Sequence, residues 1–569
     1  MSMSRIQFYS FITIASLTFF SCRQQKPKEQ SSPSKPNILI IVADDMGYSD
    51  VGCFGGNIQT PVIDKIAAEG LRFGNFHVQP TCSPTRSSLL TGNDNHVAGL
   101  GIMEEVNYPE LARQNLPGYS GHLSPKVVTL PQLLHGNNYH TYMVGKWHLG
   151  EGVGLDPSDK GFEETFILGT GGGSHFNDKK ALSPLQHMDY TRNGKPVELP
   201  EDFYSTRNYT DSLLAFIIKS KSDNKPFFAY LSYTAVHDPL HAPQEYIDKY
   251  KGKFDTGYDS LYTIRTNNLK ALGIVPQDVV GMKNPMIPKW STLPRGKQQE
   301  LARDMEVYAG MLEYMDMSIG RVMDSLKKYN LYNNTMIIFM SDNGANGAMA
   351  TAYPGNDDGK YLSTFDNSHD NRGLKNSYIE TGPGWAQASS APFRFFKSYT
   401  TEGGIRAPLI VKMPGTNKNA GQWNNHFVHV TDIMPTILQL TGTDYPKVYR
   451  QNEIHALIGK SLMPVLNGDS SGVHSNDGMG WELFEMKAYI KGTWKILRLP
   501  VPFGTGEWQL YDLQKDPGET HDLSQQFPDM KQQLISDWNN YAKENEVYDH
   551  RGHFDSVYRA AFRPENEGD

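Results

Sequence analysis

Five short runs of apolar residues, rich in β-branched and aromatic side chains, predict buried strands of a parallel sheet. The runs cover residues 37–42, 139–144, 226–233, 335–340 and 409–411. Helices are predicted over residues 60–70, 129–134, 295–329 and 431–441. The helix 295–329 is predicted from the spacing of its apolar residues, and the helix 60–70 from a proline near its start and a glycine at its end. Strands that alternate with helices predict an α/β fold with a doubly wound, mostly parallel sheet.

The longest helical stretch, residues 295–329, carries a methionine-rich stripe. Met305 and Met311 belong to this stripe, and we interpret it as part of the core and not as a cofactor site. Residues 245–296 and 345–390 show no clear period and are predicted to be loop-rich.

The C-terminal part of the chain has a different pattern. Short alternating strands between residues 488 and 511 precede a helix over 528–546. A chain of 569 residues is long enough for more than one domain. We therefore predict a larger α/β domain over 37–457 and a smaller α+β domain over 458–560.

The N-terminus has the pattern of an export signal. A basic residue precedes an apolar run over 8–20, which is too short to span a bilayer. The following Ser21 and Cys22 resemble a bacterial lipobox, so we predict a lipoprotein signal peptide over 1–21 with the lipid on Cys22. An ordinary signal peptide is the alternative. Residues 22–36 are polar and rich in proline and serine, which predicts a disordered tether. The predicted location is the periplasm or the outer membrane, with membrane contact only through the lipid.

Charge and cysteine content narrow the class of protein. The net charge of -8 and the pI of about 6.1 give no reason to expect a nucleic-acid partner. The sequence contains neither His-Glu-x-x-His nor Gly-x-Ser-x-Gly, and the glycine-rich run 169–173 lacks the lysine of a P-loop. Apart from Cys22, the only cysteines are Cys53 and Cys82, and a disulfide between them is left open. So few cysteines do not form a disulfide scaffold.

Charged and polar residues follow directly after four of the predicted strands. In doubly wound sheets, ligands bind beyond the carboxyl ends of the strands. The candidates for one shared site at this edge are Asp44, Asp45, Lys146, His148, His237, Asp342 and Asn343. Their carboxylate and amide oxygens suit Ca²⁺ or Mg²⁺ and not zinc, which prefers nitrogen and sulfur. For any one of these residues alone, a solvated turn is the alternative.

A cysteine near the start of a predicted helix is the candidate nucleophile. In the run Cys82-Ser83-Pro84-Thr85-Arg86, Ser83 suits the N-cap and Pro84 suits the first helical position. Cys82 would then lie just before a helix N-terminus, where free N–H groups and the helix dipole favour an anion. Arg86 adds a planar cation suited to oxyanions. A small buried cysteine at a helix start is the alternative.

The order Cys-x-Pro-x-Arg resembles the maturation signature of the type I sulfatases, in which the cysteine is oxidised to Cα-formylglycine. Further motifs resemble the same family, namely Ala-Asp-Asp-Met-Gly at 43–47, Gly-Lys-Trp-His-Leu-Gly at 145–150, His-Asp-Pro-Leu-His-Ala-Pro at 237–243, Ser-Asp-Asn-Gly at 341–344 and Glu-Gly-Gly-Ile-Arg-Ala-Pro at 402–408. The resemblance extends roughly over residues 36–545. It points to the bacterial arylsulfatase branch of this alkaline-phosphatase-like superfamily.

The resemblance implies a sulfuric ester hydrolase that acts on aryl or carbohydrate sulfates. One divalent cation, usually calcium and otherwise magnesium, is implied to be bound by Asp44, Asp45, Asp342, Asn343 and the modified Cys82. The rest of the sulfate pocket is implied to consist of Arg86, Lys146, His148, His237 and Lys397. Lys397 is identified only by its spacing from the Glu-Gly-Gly motif. The resemblance also implies a formylglycine-generating enzyme as the partner in maturation.

The reaction implied by the resemblance uses these residues in different roles. The modified residue attacks sulfur, His237 with Lys397 protonates the departing alcohol, and His148 assists the release of sulfate. A phosphate or phosphonate ester hydrolase of the same superfamily is an alternative. A non-catalytic lipoprotein that binds sulfated glycans is another. His175 and His241 are interpreted as ordinary polar loop residues.

Overall fold

The computed structural model of the protein describes residues 35–106, 116–415, 418–469, 471–474 and 477–548. The predicted signal peptide, nearly all of the predicted tether and the last residues of the predicted C-terminal domain lie outside the described residues. They therefore stay predictions. Within the described ranges, no helix combines the length and the apolar composition that are needed to cross a membrane.

The main sheet has eleven strands in the described part of the chain. In chain order they are β1 (Asn37–Ala43), β2 (Leu71–His77), β3 (His140–Lys146), β4 (Glu164–Leu168), β5 (Tyr190–Arg192), β6 (Lys195–Pro196), β7 (Phe227–Ser232), β8 (Thr335–Ser341), β9 (Arg406–Lys412), β10 (Trp423–Asn424) and β11 (Val428–His429). Across the sheet the order is β10-β2-β9-β8-β1-β7-β3-β4-β5-β6, and β11 pairs with β2. The central strands β8, β1, β7, β3 and β4 are parallel, whereas β9 is antiparallel to both of its neighbours.

Helices cover both faces of this sheet. In chain order they are α1 (Pro61–Glu69), α2 (Cys82–Thr91), α3 (Leu130–Gly136), α4 (Ser205–Ser220), α5 (Gln244–Asp248), α6 (Gly257–Ala271), α7 (Arg295–Lys328), α8 (Gly382–Ser389), α9 (Glu402–Ile405), α10 (Ile433–Thr441), α11 (Met463–Leu466) and α12 (Pro528–Glu544). Because side chains alternate along a strand, Leu39 and Ile41 of β1 pack in a core shared with α1, α4 and α7. Ile38 and Ile40 pack in the opposite core, shared with α2, α3 and α10. The doubly wound α/β prediction is therefore confirmed.

The five predicted strands are present as β1, β3, β7, β8 and β9. The methionine-rich stripe is also confirmed as core, because Met305 and Met311 of α7 are fully buried. Strand β2 escaped prediction because its sequence, Leu-Arg-Phe-Gly-Asn-Phe-His, is not a continuous apolar run. The stretches predicted to be loop-rich contain helices, namely α6 and most of α5 within 245–296 and α8 within 345–390.

The C-terminal region forms a second, antiparallel sheet of four strands, β14 (Gly478–Leu483), β15 (Met486–Lys491), β16 (Trp494–Arg498) and β17 (Gln509–Asp512). A small hairpin of β12 (Val448–Tyr449) and β13 (Asn452–Glu453) precedes it. Helix α12 packs on this sheet through Leu534 and Trp538. The smaller α+β element is confirmed, whereas its boundary at residue 458 stays a prediction. Trp481 of β14 shares a core with Phe395 and Ile405, so the second sheet packs directly on the segment before β9.

Candidate active site at the carboxyl edge of the sheet

The register of the two central strands explains why residues 300 positions apart meet. Ala43 of β1 pairs with Ser341 of β8, so the next residues, Asp44 and Asp342, leave the sheet side by side. The backbone N–H of Asp45 donates a hydrogen bond to Oδ1 of Asp342 at 3.2 Å. These carboxylates are buried, as a shared ligand site requires.

The next two strands add Lys146 by a close approach of their backbones. Gly145 of β3 pairs with Ser232 of β7, and a Cβ at Gly145 would lie 1.7 Å from the Ser232 carbonyl oxygen. The position also has a φ of +99°, so both space and conformation require glycine. This close approach of the two backbones directs Lys146 to the same edge as Asp44.

The antiparallel strand β9 brings distant parts of the chain to this edge. Because β9 runs opposite to β8, the segment before it, which carries Lys397, lies at the carboxyl end of β8. Strand β2 runs opposite to β9, so β2 ends at the same edge and leads into α2 and Cys82. Lys397 and Cys82 therefore reach the site by topology and not by proximity in sequence.

Arg86 and Lys146 bind the carboxylates at the centre of the site. Arg86 donates to Oδ2 of Asp342 from Nε and one terminal nitrogen, at 3.0 and 2.7 Å. Lys146 donates from Nζ to both oxygens of Asp44, at 3.0 and 2.8 Å. Arg86 also donates to the Ser232 hydroxyl, a contact that the sequence analysis missed because a lone serine has no diagnostic spacing. Arg86 and Lys146 thus hold two carboxylates in fixed positions.

A second group of contacts surrounds Asp45. Lys397 donates from Nζ to Oδ2 of Asp45 at 2.7 Å, and Asn343 donates from Nδ2 to Oδ1 at 2.6 Å. His237 donates from Nδ1 to the Asp238 carbonyl oxygen at 2.7 Å, so Nε2 faces Asp45 at 3.3 Å and Lys397 at 3.4 Å. Burial disfavours the charge of Asp45, but Lys397 and His237 outweigh it and lower the pKa of this carboxyl.

Cys82 is the first residue of α2, and Thr81 is at the N-cap. The helix begins before the predicted N-cap, Ser83, because the N–H of Thr85 already bonds to the Thr81 carbonyl at 3.1 Å. The Ser83 hydroxyl has no hydrogen-bond partner among the described residues. Cys82 and Cys53 are both free, so the disulfide that the sequence left open is absent from the structure.

The surroundings of the Cys82 sulfur are electropositive. Burial raises the pKa of this thiol, but Lys146, Lys397 and His148 outweigh burial and lower the pKa to about 6. A sulfur in this position is therefore a thiolate near neutral pH. The same field favours any other anion that occupies the pocket.

His148 is held by Glu105, a residue that the sequence analysis did not identify. Nε2 of His148 lies 3.0 Å from Oε2 of Glu105. Burial lowers the pKa of His148, but Glu105 and Cys82 raise it to about 9, so the imidazole carries a proton on both nitrogens. Glu105 is one of two adjacent glutamates with no recognisable motif, and only the fold brings it to His148.

The donor atoms at the centre suit a hard divalent cation. One ligand atom each from Asp44, Cys82 and Asp342 lie within 4.8 Å of one another. Oδ1 of Asn343 is buried and has no hydrogen-bond partner in the described part of the chain. Carboxylates and an unused amide oxygen are the ligands that Ca²⁺ and Mg²⁺ prefer. The residues present therefore fit the predicted cation, with Asp45 beside them.

The glycine-rich run 169–173 lies against both histidines of the site. A Cβ on Gly171 would lie 3.0 Å from Cε1 of His148, and a Cβ on Gly172 would lie 3.1 Å from Nδ1 of His237. The glycines of this run therefore let the backbone pack closely against the two histidines, and the run has no P-loop lysine. His241 hydrogen-bonds to the Ser377 carbonyl at 3.0 Å, in agreement with its interpretation as a polar loop residue.

All the residues predicted for the site lie at this one edge. Most of them are at most 1% exposed, whereas His148, His237 and Lys397 are 6%, 3% and 7% exposed. These three residues are thus the least completely buried members of the site.

Comparisons with known proteins agree with this geometry. A family model described as Sulfatase matches residues 36–443, and one described as N-sulphoglucosamine sulphohydrolase, C-terminal, matches residues 393–544. The chain is 41% identical over 533 residues to an uncharacterised sulfatase of Schizosaccharomyces pombe, covering 91% of this chain and 95% of that protein. It is 38% identical over 434 residues to an arylsulfatase of Klebsiella aerogenes, covering 76% and 92%. The crystal structure of Ps i-CgsB in complex with k-i-k-neocarrahexaose is 25% identical, with a TM-score of 0.64 and coverage of 93% and 98%.

Proposed function

Because the chain belongs to the sulfatase family and is a sulfuric ester hydrolase, we propose that Cys82, converted to Cα-formylglycine, acts with one divalent cation in the reaction. These two groups would supply an oxygen nucleophile and positive charge for the sulfate. The observation that carries the proposal is that Cys82, Asp44 and Asp342 offer ligand atoms within 4.8 Å of one another. The unmodified thiol stands in for the oxygen of the modified residue.

The cations of the chain would stabilise the sulfate group. Lys146 and Lys397 are the two charges that lower the pKa of Cys82 most, which supports their being aimed at the point where negative charge develops. Arg86 is engaged with Asp342 and Ser232, so its proposed role is to hold the carboxylate and the start of α2.

His237 and Lys397 would deliver the proton to the departing alcohol. Nδ1 of His237 already donates to the Asp238 carbonyl, so Nε2 is the atom that can exchange a proton. The Lys397 ammonium lies 3.4 Å from that atom, so the two groups lie together at the point where the leaving oxygen would take up its proton. His148, fixed by Glu105, would hold the modified residue through its Nδ1–H.

The proposed substrates are aryl or carbohydrate sulfate monoesters. An arylsulfatase is among the similar proteins, and Ps i-CgsB was crystallised with k-i-k-neocarrahexaose. The side of the site at His148, His237 and Lys397 would receive the alcohol, since these are its least completely buried residues.

The activity test compares two esters of one phenol. The chain, produced with a formylglycine-generating enzyme and supplied with Ca²⁺, is given 4-nitrophenyl sulfate and 4-nitrophenyl phosphate. We expect kcat/KM for the sulfate to exceed that for the phosphate by at least about tenfold, a difference of about 1.4 kcal/mol in transition-state binding. A preference for the phosphate would favour the phosphate ester hydrolase, and hydrolysis of neither ester by converted protein would contradict the proposal.

The maturation test is mass spectrometry of the tryptic peptide from Phe73 to Arg86, which contains Cys82. An aldehyde or its hydrate at Cys82 is the expected result. An unmodified thiol, from a host that converts another sulfatase, would contradict both the modification and the proposed partner enzyme.

Export as a lipoprotein is a separate proposal that rests on the N-terminal sequence. The apolar run 8–20 and the Ser21-Cys22 ending support a lipid on Cys22. Replacing Cys22 by serine is expected to release the protein from the membrane fraction, as detected by fractionation and by loss of fatty-acid labelling. Unchanged labelling in C22S would contradict the lipid assignment.

A further inference from the structure

Residues 169–175, which we name the glycine strap, connect the surroundings of both histidines. Gly169 accepts a hydrogen bond from the backbone N–H of His148 at 2.9 Å. Gly171 and Gly172 then pass so close to His148 and His237 that a Cβ on either would lie about 3 Å from a ring. The strap ends at His175, which is 1% exposed.

His175 binds the turn that carries His237. The turn closes through the N–H of His237, which donates to the Thr234 carbonyl at 3.0 Å. Nε2 of His175 donates to the His237 carbonyl oxygen at 3.2 Å, and Nδ1 lies 2.7 Å from the Ser205 hydroxyl and 3.3 Å from that of Thr234. His175 therefore contacts both ends of the turn and links it to α4.

These bonds require a neutral imidazole with its proton on Nε2. A carbonyl oxygen only accepts, so Nε2 must donate, and Nδ1 is then the acceptor for the Ser205 hydroxyl. Burial and the neighbouring His241 lower the pKa of His175 to about 3, in keeping with that state. His175 faces His237, His241, Thr234 and Ser205, and it touches none of the carboxylates of the site in the described structure.

We infer that His175 is a positioning residue that fixes His237 for proton transfer to the leaving alcohol, with Gly172 as the bare backbone against which the His237 ring rests. The inference depends on the proposed function, in which His237 is the proton donor. The His237 ring bonds only to its neighbour, Asp238, on the Nδ1 side, so its direction follows the turn. Without the bond to His175 the turn could move, and Nε2 of His237 would no longer point at the leaving oxygen. Proton transfer depends strongly on this distance and direction.

The test is the dependence of rate on the leaving group. A poor leaving group needs the proton more than a good one, so a misplaced acid slows phenyl sulfate more than 4-nitrophenyl sulfate. For H175A we expect kcat/KM on phenyl sulfate to fall about tenfold further than on 4-nitrophenyl sulfate, mainly through kcat. The matched control is H429A, because His429 is also 1% exposed and hydrogen-bonds to Thr431. In H429A both esters should be affected equally.

Two more variants separate positioning from loss of stability. H175Q keeps an N–H at nearly the position of Nε2, so it should restore most of the rate on phenyl sulfate. Gly172→Ala pushes on the His237 ring without removing the His175 bond, and it should give the same selective loss. Gly296→Ala is its control, because a Cβ there meets nothing within 4 Å.

Each outcome decides the inference. Equal losses on the two esters in H175A, or in Gly172→Ala if H175A does not fold, would overturn the inference and leave only a structural role for His175. If wild-type protein hydrolyses sulfate esters, but the ratio of kcat/KM on phenyl sulfate to that on 4-nitrophenyl sulfate is the same in the variants as in wild type, only the inference is overturned. Converted wild-type protein that hydrolyses neither ester overturns the proposed function, and the inference with it.

Discussion

The active site and the cluster around Lys495 are both buried groups of acids and bases, and they lie at the two ends of the segment 397–402. In the Lys495 cluster, Nζ of Lys495 lies 2.9 Å from Glu402 and 2.7 Å from Glu519. The second oxygen of Glu402 lies 3.0 Å from Nε2 of His77. The cluster joins β16 of the small sheet to α9 and β2 of the main domain, and its acids and bases bind one another.

The active site differs in how its ligand atoms are grouped. Asp44, Cys82 and Asp342 each offer one ligand atom within 4.8 Å of the others, and Oδ1 of Asn343 has no hydrogen-bond partner among the described residues. Burial of charge is equally complete in both places and does not distinguish them. Ligand atoms grouped as for a cation mark the catalytic cluster, whereas mutual pairing of acids and bases marks the structural one.

The largest expected effect comes from replacing Cys82, because the Lys495 cluster contains no nucleophile that corresponds to it. C82S should lose more than about 10⁴-fold in kcat on 4-nitrophenyl sulfate, because a serine cannot be converted and cannot expel sulfate. Its circular dichroism and unfolding temperature should remain close to those of wild type. C53S is the control, since Cys53 is also a free cysteine and has no contact with the site, and it should keep its activity. Sustained turnover by C82S would remove the proposed mechanism.

Removal of divalent cations should affect the active site and leave the Lys495 cluster unchanged. A chelator is expected to lower kcat by more than about 100-fold, and added Ca²⁺ should restore it. Calcium at 100 times its dissociation constant should also stabilise the fold by about 2.7 kcal/mol, measured as a rise in unfolding temperature. In D342N this rise should disappear, because Asp342 is one of the grouped ligands. An equal rise in D342N would show that calcium binds elsewhere.

The sequence predicted the residues of the site better than their neighbours, for a physical reason. Asp44, Lys146 and Asp342 each follow a strand with a continuous apolar pattern, so the edge on which they meet could be inferred from topology alone. Lys397 follows no such strand, and only the resemblance identified it. In the structure it reaches the site because β9 is antiparallel to β8.

The contacts that could not be predicted from the sequence are made by isolated polar residues. Glu105, His175 and Ser232 are single polar residues without a motif, and each acts on a residue more than 40 positions away. No local pattern records such a pairing, which exists only after the chain has folded. Strand β2 was missed because polar residues and a glycine interrupt its apolar residues, so that its sequence shows neither a continuous apolar run nor a regular alternation. The sequence thus predicts strand ends and motif residues, and the fold adds the groups that orient them.

Disruption of the Lys495 cluster should change stability more than chemistry. In K495M, Glu402 and Glu519 would stay buried without their shared cation, so we expect the free energy of unfolding to fall by about 3–5 kcal/mol. The kcat of the folded fraction should stay within about threefold of wild type. K491M is the matched control on the same sheet, because Lys491 is 40% exposed in its pair with Asp537 and should cost at most about 1 kcal/mol. A large loss of kcat at unchanged stability would place Lys495 in the active site.

The smallest expected effect concerns a third buried cluster of charged side chains, around His96. Here the small sheet again contacts the main domain. Nδ1 of His96 lies 2.8 Å from Asp94 and Nε2 lies 3.5 Å from Glu482 of β14, while the Tyr541 hydroxyl donates to Asp94 at 2.7 Å. Burial lowers the pKa of His96, but Asp94 and Glu482 outweigh it and raise the pKa to about 9. The imidazolium is therefore retained well above the pH at which a free histidine loses its proton.

Because the folded pKa of His96 is raised, its contribution to stability is complete below about pH 6.5 and is lost as the pH rises towards 9. The rise of the pKa from 6.5 to about 9 corresponds to about 3–4 kcal/mol at most. The measurement is the difference in unfolding free energy between wild type and H96Q at fixed Ca²⁺, from pH 6 to pH 9.5. That difference should shrink with rising pH. A pH-independent difference for H96Q would mean that His96 is neutral in the fold, and that the third group is held by hydrogen bonds and not by charge.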